Sequence, residues 1–396
     1  MAAESHALLS PSSSHRWLNC TPSARLEETV KDQGSVYAEE GSCAHALCEY
    51  KLLSLLNAEK EGKYEDEMRK ALVEYEKGIK QYGGVEMEEC TDMYKSIVWD
   101  KYRDAVSRTK DAELFIEKKL DFSDFIHDSY GTADAVIISD GLMEVIDFKY
   151  GKGVEVSAVG NTQMMIYALG ALAAFSWEYK IERVRMTIIQ PRKSNISDYE
   201  LSVDELDVWK NDALIPRADA AYEGRGEQEP GEWCKFCKIK ASCAKLADKA
   251  TSAYIKHENK ETISDSEMPA LLELIPTIKT WCSAVEEYAL ARAVAGEEFA
   301  GFKVVEGRSV RKITDPAGLE AALLTAGYDD IHRPLELKSI GDLEKLVGKS
   351  KFSSLSKGYI EKPEGKPVLV PLSDRREEKK YSSAALDFAG IEIIND

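Results

Sequence analysis

At 396 residues the chain exceeds the usual size of one domain, and its 44% hydrophobic and 31% charged residues describe a globular protein with ample core. No run of about 18 apolar residues occurs, and residues 1–14 lack a basic region leading into an apolar stretch, which argues against a membrane span or secretion signal and predicts a cytoplasmic location. The net charge of −18 excludes wholesale wrapping of nucleic acid, but not a local groove, because phosphate contacts depend on the charges within reach.

Residues 1–34 are mixed and turn-rich, with Cys20 inside Trp17-Leu18-Asn19-Cys20-Thr21-Pro22. Ala46, Leu47, Tyr50, Leu53 and Leu56 recur at helical spacing and predict a helix over 36–60, followed by charged amphipathic helices over 64–82 and 91–109. The period then switches to two, predicting strands at 113–120, 133–139 and 142–149. Asp140-Gly141 joins the last two as a tight hairpin, since both residues tolerate positive φ. An apolar helix over 157–175, a strand over 181–190, a hairpin arm near 197–203 and a helix over 204–222 follow. The order helix, three strands, helix, strand is that of an α/β restriction-endonuclease-like core, a mixed sheet flanked by helices. Past residue 250 the character changes to one long helix over 264–295 and then short helical and strand-like pieces. A first domain is therefore expected at 1–250 with helical additions, and an α+β accessory region of unassigned role at 251–396.

Hydrolysis of a phosphodiester requires a metal to polarise phosphoryl oxygens, an activated water, and shielding of the charge that develops. Two carboxylates on adjacent strands suit Mg²⁺ or Mn²⁺, which prefer oxygen ligands. Gly131-Thr132-Ala133-Asp134 puts Asp134 at the start of one strand, and Asp147-Phe148-Lys149 puts Asp147 near the end of its hairpin partner. Lys149 stands two residues after Asp147 and so shares its face, where an ammonium can orient the water or stabilise the transition state. His45, opening a helix in Gly41-Ser42-Cys43-Ala44-His45, is a candidate third ligand that would bias the site toward Mn²⁺. Glu49, one turn on, is either a supporting partner or a solvent-facing charge. Glu117-x-Lys119 and Glu377-x-Lys379 share the acidic-x-Lys pattern and read as solvated or supporting charge. Gln163 and Tyr167 share a helix face and can hydrogen-bond and stack on a nucleic-acid strand.

Cys234-x2-Cys237-x5-Cys243 presents three thiolates on a short loop, and Cys20 is the natural fourth, tying the N-terminal segment to the end of the core. Four thiolates suit zinc or an iron–sulfur cluster alike. Cys43, Cys48, Cys90 and Cys282 lack ligand spacing with this set, and buried thiols are the reading for Cys43 and Cys48. Lys303, Arg308, Arg311 and Lys312 cluster basic charge that either extends a DNA path or is simply solvated.

A helical histidine, Gly-x-x-Asp, Asp-x-Lys and Gln-x-x-x-Tyr, in this order, resemble the RecB-type branch of the PD-(D/E)xK nucleases. The resemblance implies metal ligation by His45, Asp134, Asp147 and the Phe148 carbonyl, a catalytic Lys149, and DNA positioning by Gln163 and Tyr167. One upstream cysteine with a downstream Cys-x2-Cys-x5-Cys is similar to the AddB group and to the CRISPR-associated adaptation nucleases, which implies a structural [4Fe–4S] cluster. The resemblance spans about residues 10–245 and is nearest to phage- and prophage-encoded proteins found beside single-strand-binding or annealing proteins. It implies a metal-dependent DNA exonuclease that resects strand ends during phage recombination or replication, with an annealing or binding protein as partner. Two competing readings are a non-catalytic DNA-binding or assembly module that keeps the fold, and a zinc-stapled phage structural protein.

Overall fold

Where the helical period gives way to alternation, the computed structural model builds a five-stranded sheet. It describes residues 7–30, 36–139, 141–257 and 261–303. These lie in a compact unit, Met1–Val305; Glu306–Asp396 forms a second unit. Asp140, the basic residues Arg308, Arg311 and Lys312, and Glu377-x-Lys379 lie outside the described residues.

The strands are β1 (Glu113–Asp121), β2 (Tyr130–Ser139), β3 (Gly141–Phe148), β4 (Ile181–Gln190) and β5 (Asn195–Ser202), and they neighbour one another in chain order. All pairings are antiparallel except β3 with β4. A parallel pair needs a crossover, which α6 (Thr162–Phe175) supplies. Gly141 has φ of 68°, the positive value expected of the hairpin between β2 and β3. The arm expected at 197–203 is β5, paired along β4.

Helices cover both faces of this α/β mixed sheet. Val136 and Ile138 point into a core shared with α6, with α1 (Ser14–Asn19) and α2 (Ser23–Glu28), and with α7 (Val203–Trp209) and α8 (Ile215–Tyr222). Ala135 and Ile137 point into a second core with α3 (Val36–Glu59), α4 (Glu65–Tyr82) and α5 (Val85–Arg108). Successive residues thus serve opposite faces, as the pleat requires. Coverage on both sides explains why Leu142 to Phe148 are all buried, reading as a continuous run rather than an alternation. Beyond the sheet, α9 (Ala244–His257) and α10 (Met268–Val294) complete the described elements. No helix of the described residues is long and apolar enough to cross a membrane.

Of the boundaries that differ from expectation, α5 begins at Val85 rather than 91 and α10 at Met268 rather than 264, and two more bear on the site. The apolar helix begins at Thr162, not near 157, because the Asn161 side chain caps it, Oδ1 accepting from the Met164 amide at 3.2 Å. β2 begins at Tyr130, so Gly131 lies within the strand, paired with Leu120. Behind it, Gly170 lets α6 press onto the sheet: a Cβ there would meet Phe122 Cδ1 at 2.6 Å and Leu120 Cβ at 3.3 Å. Gly170→Ala is therefore expected to destabilise the fold by about 1–3 kcal/mol through overpacking, measured by denaturant unfolding.

Candidate functional site

The strand register lines up three acids. Ile116 opposite Ala135 and Lys118 opposite Ala133 bracket Glu117 across from Asp134; Ala135 opposite Ile146 sets Asp134 across from Asp147. Directly opposed residues share a face, so Glu117, Asp134 and Asp147 form one row over three strands. Like charges so placed repel, and the row is held by basic side chains beside Asp134 and Asp147. His45, projecting from α3, brings Nδ1 to 3.3 Å from Asp134 Oδ1, while the Phe148 amide donates to Asp134 Oδ2 at 2.7 Å. Lys149 Nζ stands 3.2 Å from Asp147 Oδ1 and 3.3 Å from Gln163 Oε1, and Gln163 Nε2 donates to the same Asp147 oxygen at 3.3 Å.

Among the described residues, the ligand atoms of His45, Glu117 and Asp134 all lie within 4.8 Å of one another. Glu117, which its sequence pattern presents as solvated or supporting charge, is half-buried inside this group. It is also strained, with φ of 47° in mid-strand, a region non-glycine residues rarely occupy. Asp147 stands in the adjoining position of the row, its carboxylate taken up by Lys149 and Gln163. Its Oδ2 is 3.1 Å from Lys149 Nζ, close enough for charge attraction but outside hydrogen-bonding directions, and is a buried oxygen without a hydrogen bond.

The titrating groups reflect the crowding. Burial and the Asp134 charge push the Glu117 carboxyl well above its ordinary range. Burial also raises Asp147, with Asp134 adding to it and Lys149 opposing. For Asp134 burial is outweighed by His45 and the Phe148 amide, so its carboxyl is held low. Burial would lower His45, but the Asp134 carboxylate lifts it to about 9. Lys149 is likewise raised, Asp147 and Asp134 overcoming burial. The carboxylates and the one imidazole offer hard oxygens and a nitrogen, a donor set suited to a divalent cation once His45 gives up its proton.

His45, Glu117 and Asp134 open on a cleft of ≈ 540 Å³ whose lining also includes Ser10, Ser12, Glu49, Glu74, Tyr130 and Tyr167, with Asp147 buried behind them. Glu49 therefore faces the cleft beside Glu74, which together with burial raises its carboxyl. Tyr167 is buried at 8% exposure, its ring 5.9 Å from Phe122, and Gly131 makes room for it, since a Cβ there would sit 2.9 Å from Tyr167 Cε1. The Gly of Gly-x-x-Asp and the Tyr of Gln-x-x-x-Tyr are thus one packing unit under the cleft floor. Replacing Glu117 by Gln is expected to weaken Mn²⁺ binding at least about tenfold, a loss seen even for outer-shell partners. Relief of like-charge opposition should meanwhile raise the melting temperature in chelator. Titration of Mn²⁺ and a thermal melt check both halves.

Cys20, Cys234, Cys237 and Cys243 line one cavity, together with Arg16, Ser23 and Trp233. All four are free thiols, the first three buried. Burial raises Cys20 and Cys234 and pushes Cys237 up to about 12. Backbone N–H groups nevertheless converge on these sulfurs: Glu229 and Ser23 on Cys20, Gly231 on Cys234 at 3.4 Å, and Ile239 on Cys237. Such donors favour thiolate over thiol. Of the remaining cysteines, Cys43, Cys48 and Cys90 are buried and Cys282 is exposed.

The model of a family described as "Protein of unknown function (DUF2800)" matches residues 6–377. A solved structure named "Crystal structure of SSO0001" is 15% identical, over 58% of this chain and 96% of that chain, with a TM-score of 0.22, a likeness too low to carry an argument.

Proposed function

We propose that this chain, which belongs to the DUF2800 family of proteins of unknown function, is a divalent-metal-dependent DNA nuclease of RecB type acting on strand ends. The observation that carries the reading is the row Glu117–Asp134–Asp147 with His45 and Lys149 beside it, of which His45, Glu117 and Asp134 line an open cleft. The parallel β3–β4 pair bridged by α6, with antiparallel β1 and β2 ahead of it, supports a restriction-endonuclease-like core.

His45, Glu117 and Asp134 would hold Mg²⁺ or Mn²⁺, and Asp147 would complete the set through Oδ2, which accepts no hydrogen bond. The bound ion supplies Lewis acidity to the scissile phosphoryl group and lowers the pKa of water. Lys149, clasped by Asp147 and Gln163, keeps its proton; it orients the attacking water and stabilises charge on the pentavalent phosphorus rather than accepting a proton. Gln163 holds both partners in place. The serines at 10 and 12, with Tyr130, offer hydroxyls to a phosphate backbone along the cleft wall.

The cysteine set fits an iron–sulfur cluster better than zinc. Four thiolates on one zinc stand about 3.8 Å apart, the tetrahedral edge for Zn–S bonds of about 2.3 Å. Among the described residues no three of these sulfurs come within 4.8 Å of one another, and the converging amides suit a polyanionic group. The decisive experiment is a metal-titrated assay on end-labelled single- and double-stranded linear DNA, blocked at one end or the other. Release of nucleotides with Mn²⁺ and none in chelator is expected. Strand binding without metal-dependent turnover would leave only the non-catalytic reading.

A further inference from the structure

We infer that Ser23 and Arg16 are hydrogen-bond donors to sulfide within a cluster held by Cys20, Cys234, Cys237 and Cys243, and that their two hydrogens raise its reduction potential. The inference rests on the iron–sulfur reading above. Ser23 is 1% exposed and its Oγ has no hydrogen-bond partner, and the buried Nε of Arg16 has none either. Both residues line the cysteine cavity. Leaving a buried donor unmatched costs about 1–3 kcal/mol, so such atoms call for an explanation. Of the five described side-chain atoms in this condition, two belong to residues that line this one cavity.

The orientation of Arg16 is not accidental. Its Nη2 pairs with Glu27 Oε2 at 2.6 Å and its Nη1 donates to the Phe236 carbonyl at 3.2 Å. Glu27 is in turn anchored by the Lys238 amide, which donates to Oε1 at 2.7 Å. The guanidinium is thereby pinned at one end, which fixes where Nε–H points. Ser23 is held by its own amide, which donates to the Cys20 carbonyl at 2.9 Å.

The cysteine sulfurs already have amide donors from Ser23, Glu229, Gly231 and Ile239. Two further buried donors on residues of the same cavity find no acceptor among the protein atoms. A zinc ion brings none, whereas a cluster brings sulfide, which accepts hydrogen bonds. Donors to cluster sulfur stabilise the more negative, reduced form and so raise the potential.

The test uses the full chain purified anaerobically, assayed for iron and sulfide, and titrated with dithionite while absorbance near ~400 nm is followed. Ser23→Ala and Arg16→Lys, the latter keeping the charge toward Glu27 but lacking Nε–H, should each leave the cluster less reduced at a fixed poise by roughly tenfold, about 59 mV for one electron. Ser23→Thr, which keeps the hydroxyl, should restore the wild-type value. Retention of the cluster by Ser23→Thr but not by Ser23→Ala would also support the donor role. Ser23→Ala and Ser23→Thr behaving alike, whether both keep the wild-type potential or both lose iron, would overturn it. Wild-type protein carrying zinc, or no iron and sulfide, would instead remove the cluster reading itself.

Discussion

Asp147→Ala and Lys149→Ala are each expected to cut Mn²⁺-dependent DNA cleavage by at least about 10²–10³-fold, the loss typical when one preorganised charge-stabilising group is removed. The two should differ in everything else. Asp147 supplies the row's one oxygen that is buried without a hydrogen bond, and it is also the anchor for Lys149 and Gln163. Its removal should therefore weaken Mn²⁺ binding and release the lysine. Removing Lys149 leaves His45, Glu117 and Asp134 untouched, so metal affinity should be retained or improved, since one cation competing for the row is gone. Calorimetric Mn²⁺ titrations beside the nuclease assay separate these outcomes. Undiminished cleavage by either variant would end the hydrolytic assignment.

Cys20→Ser is expected to abolish iron retention and to lower the unfolding midpoint by roughly 10 °C, the scale of a cross-link closing a long loop in a domain of this size. The effect is large because Cys20 lies far from Cys234, Cys237 and Cys243 in the chain, so the cluster would tie the N-terminal segment to the end of the core. Other contacts keep that segment partly docked: Trp17 and Leu9 are fully buried, Arg217 donates to the Leu18 carbonyl, and Thr21 donates to the Arg225 carbonyl. The variant should thus remain folded while cleavage falls, because residues 10–12 form a wall of the cleft. Iron analysis with a thermal melt is the check. A colourless wild-type protein with the same midpoint as the variant would remove the staple.

How much of this was legible beforehand depends on how local each signal is. Short apolar strand segments bounded by turn signals placed β1, β3 and β4 within a few residues, because a strand's side chains must be buried on at least one face. Asp147 and Lys149 two apart, Gln163 and Tyr167 four apart, and the Cys-x2-Cys-x5-Cys spacing are likewise local, so these groups could be named before any fold was known. Where an element starts was less legible: the Asn161 cap delayed α6, and Gly131 did not stop β2 from running through it.

Only the tertiary structure decided what crosses between elements. Glu117 looked like one more surface Glu-x-Lys; it joined the acidic row because packing of the loop after β1, with Phe122 and Ile126 buried, set the β1–β2 register that puts it opposite Asp134. His45 reached Asp134 because α3 packs against the sheet at β1, a placement that a helical stripe alone does not specify. Local spacing determines which side chains share a face of one element. Register and helix placement follow from burial summed over segments distant in the chain, and only that sum assembles the site.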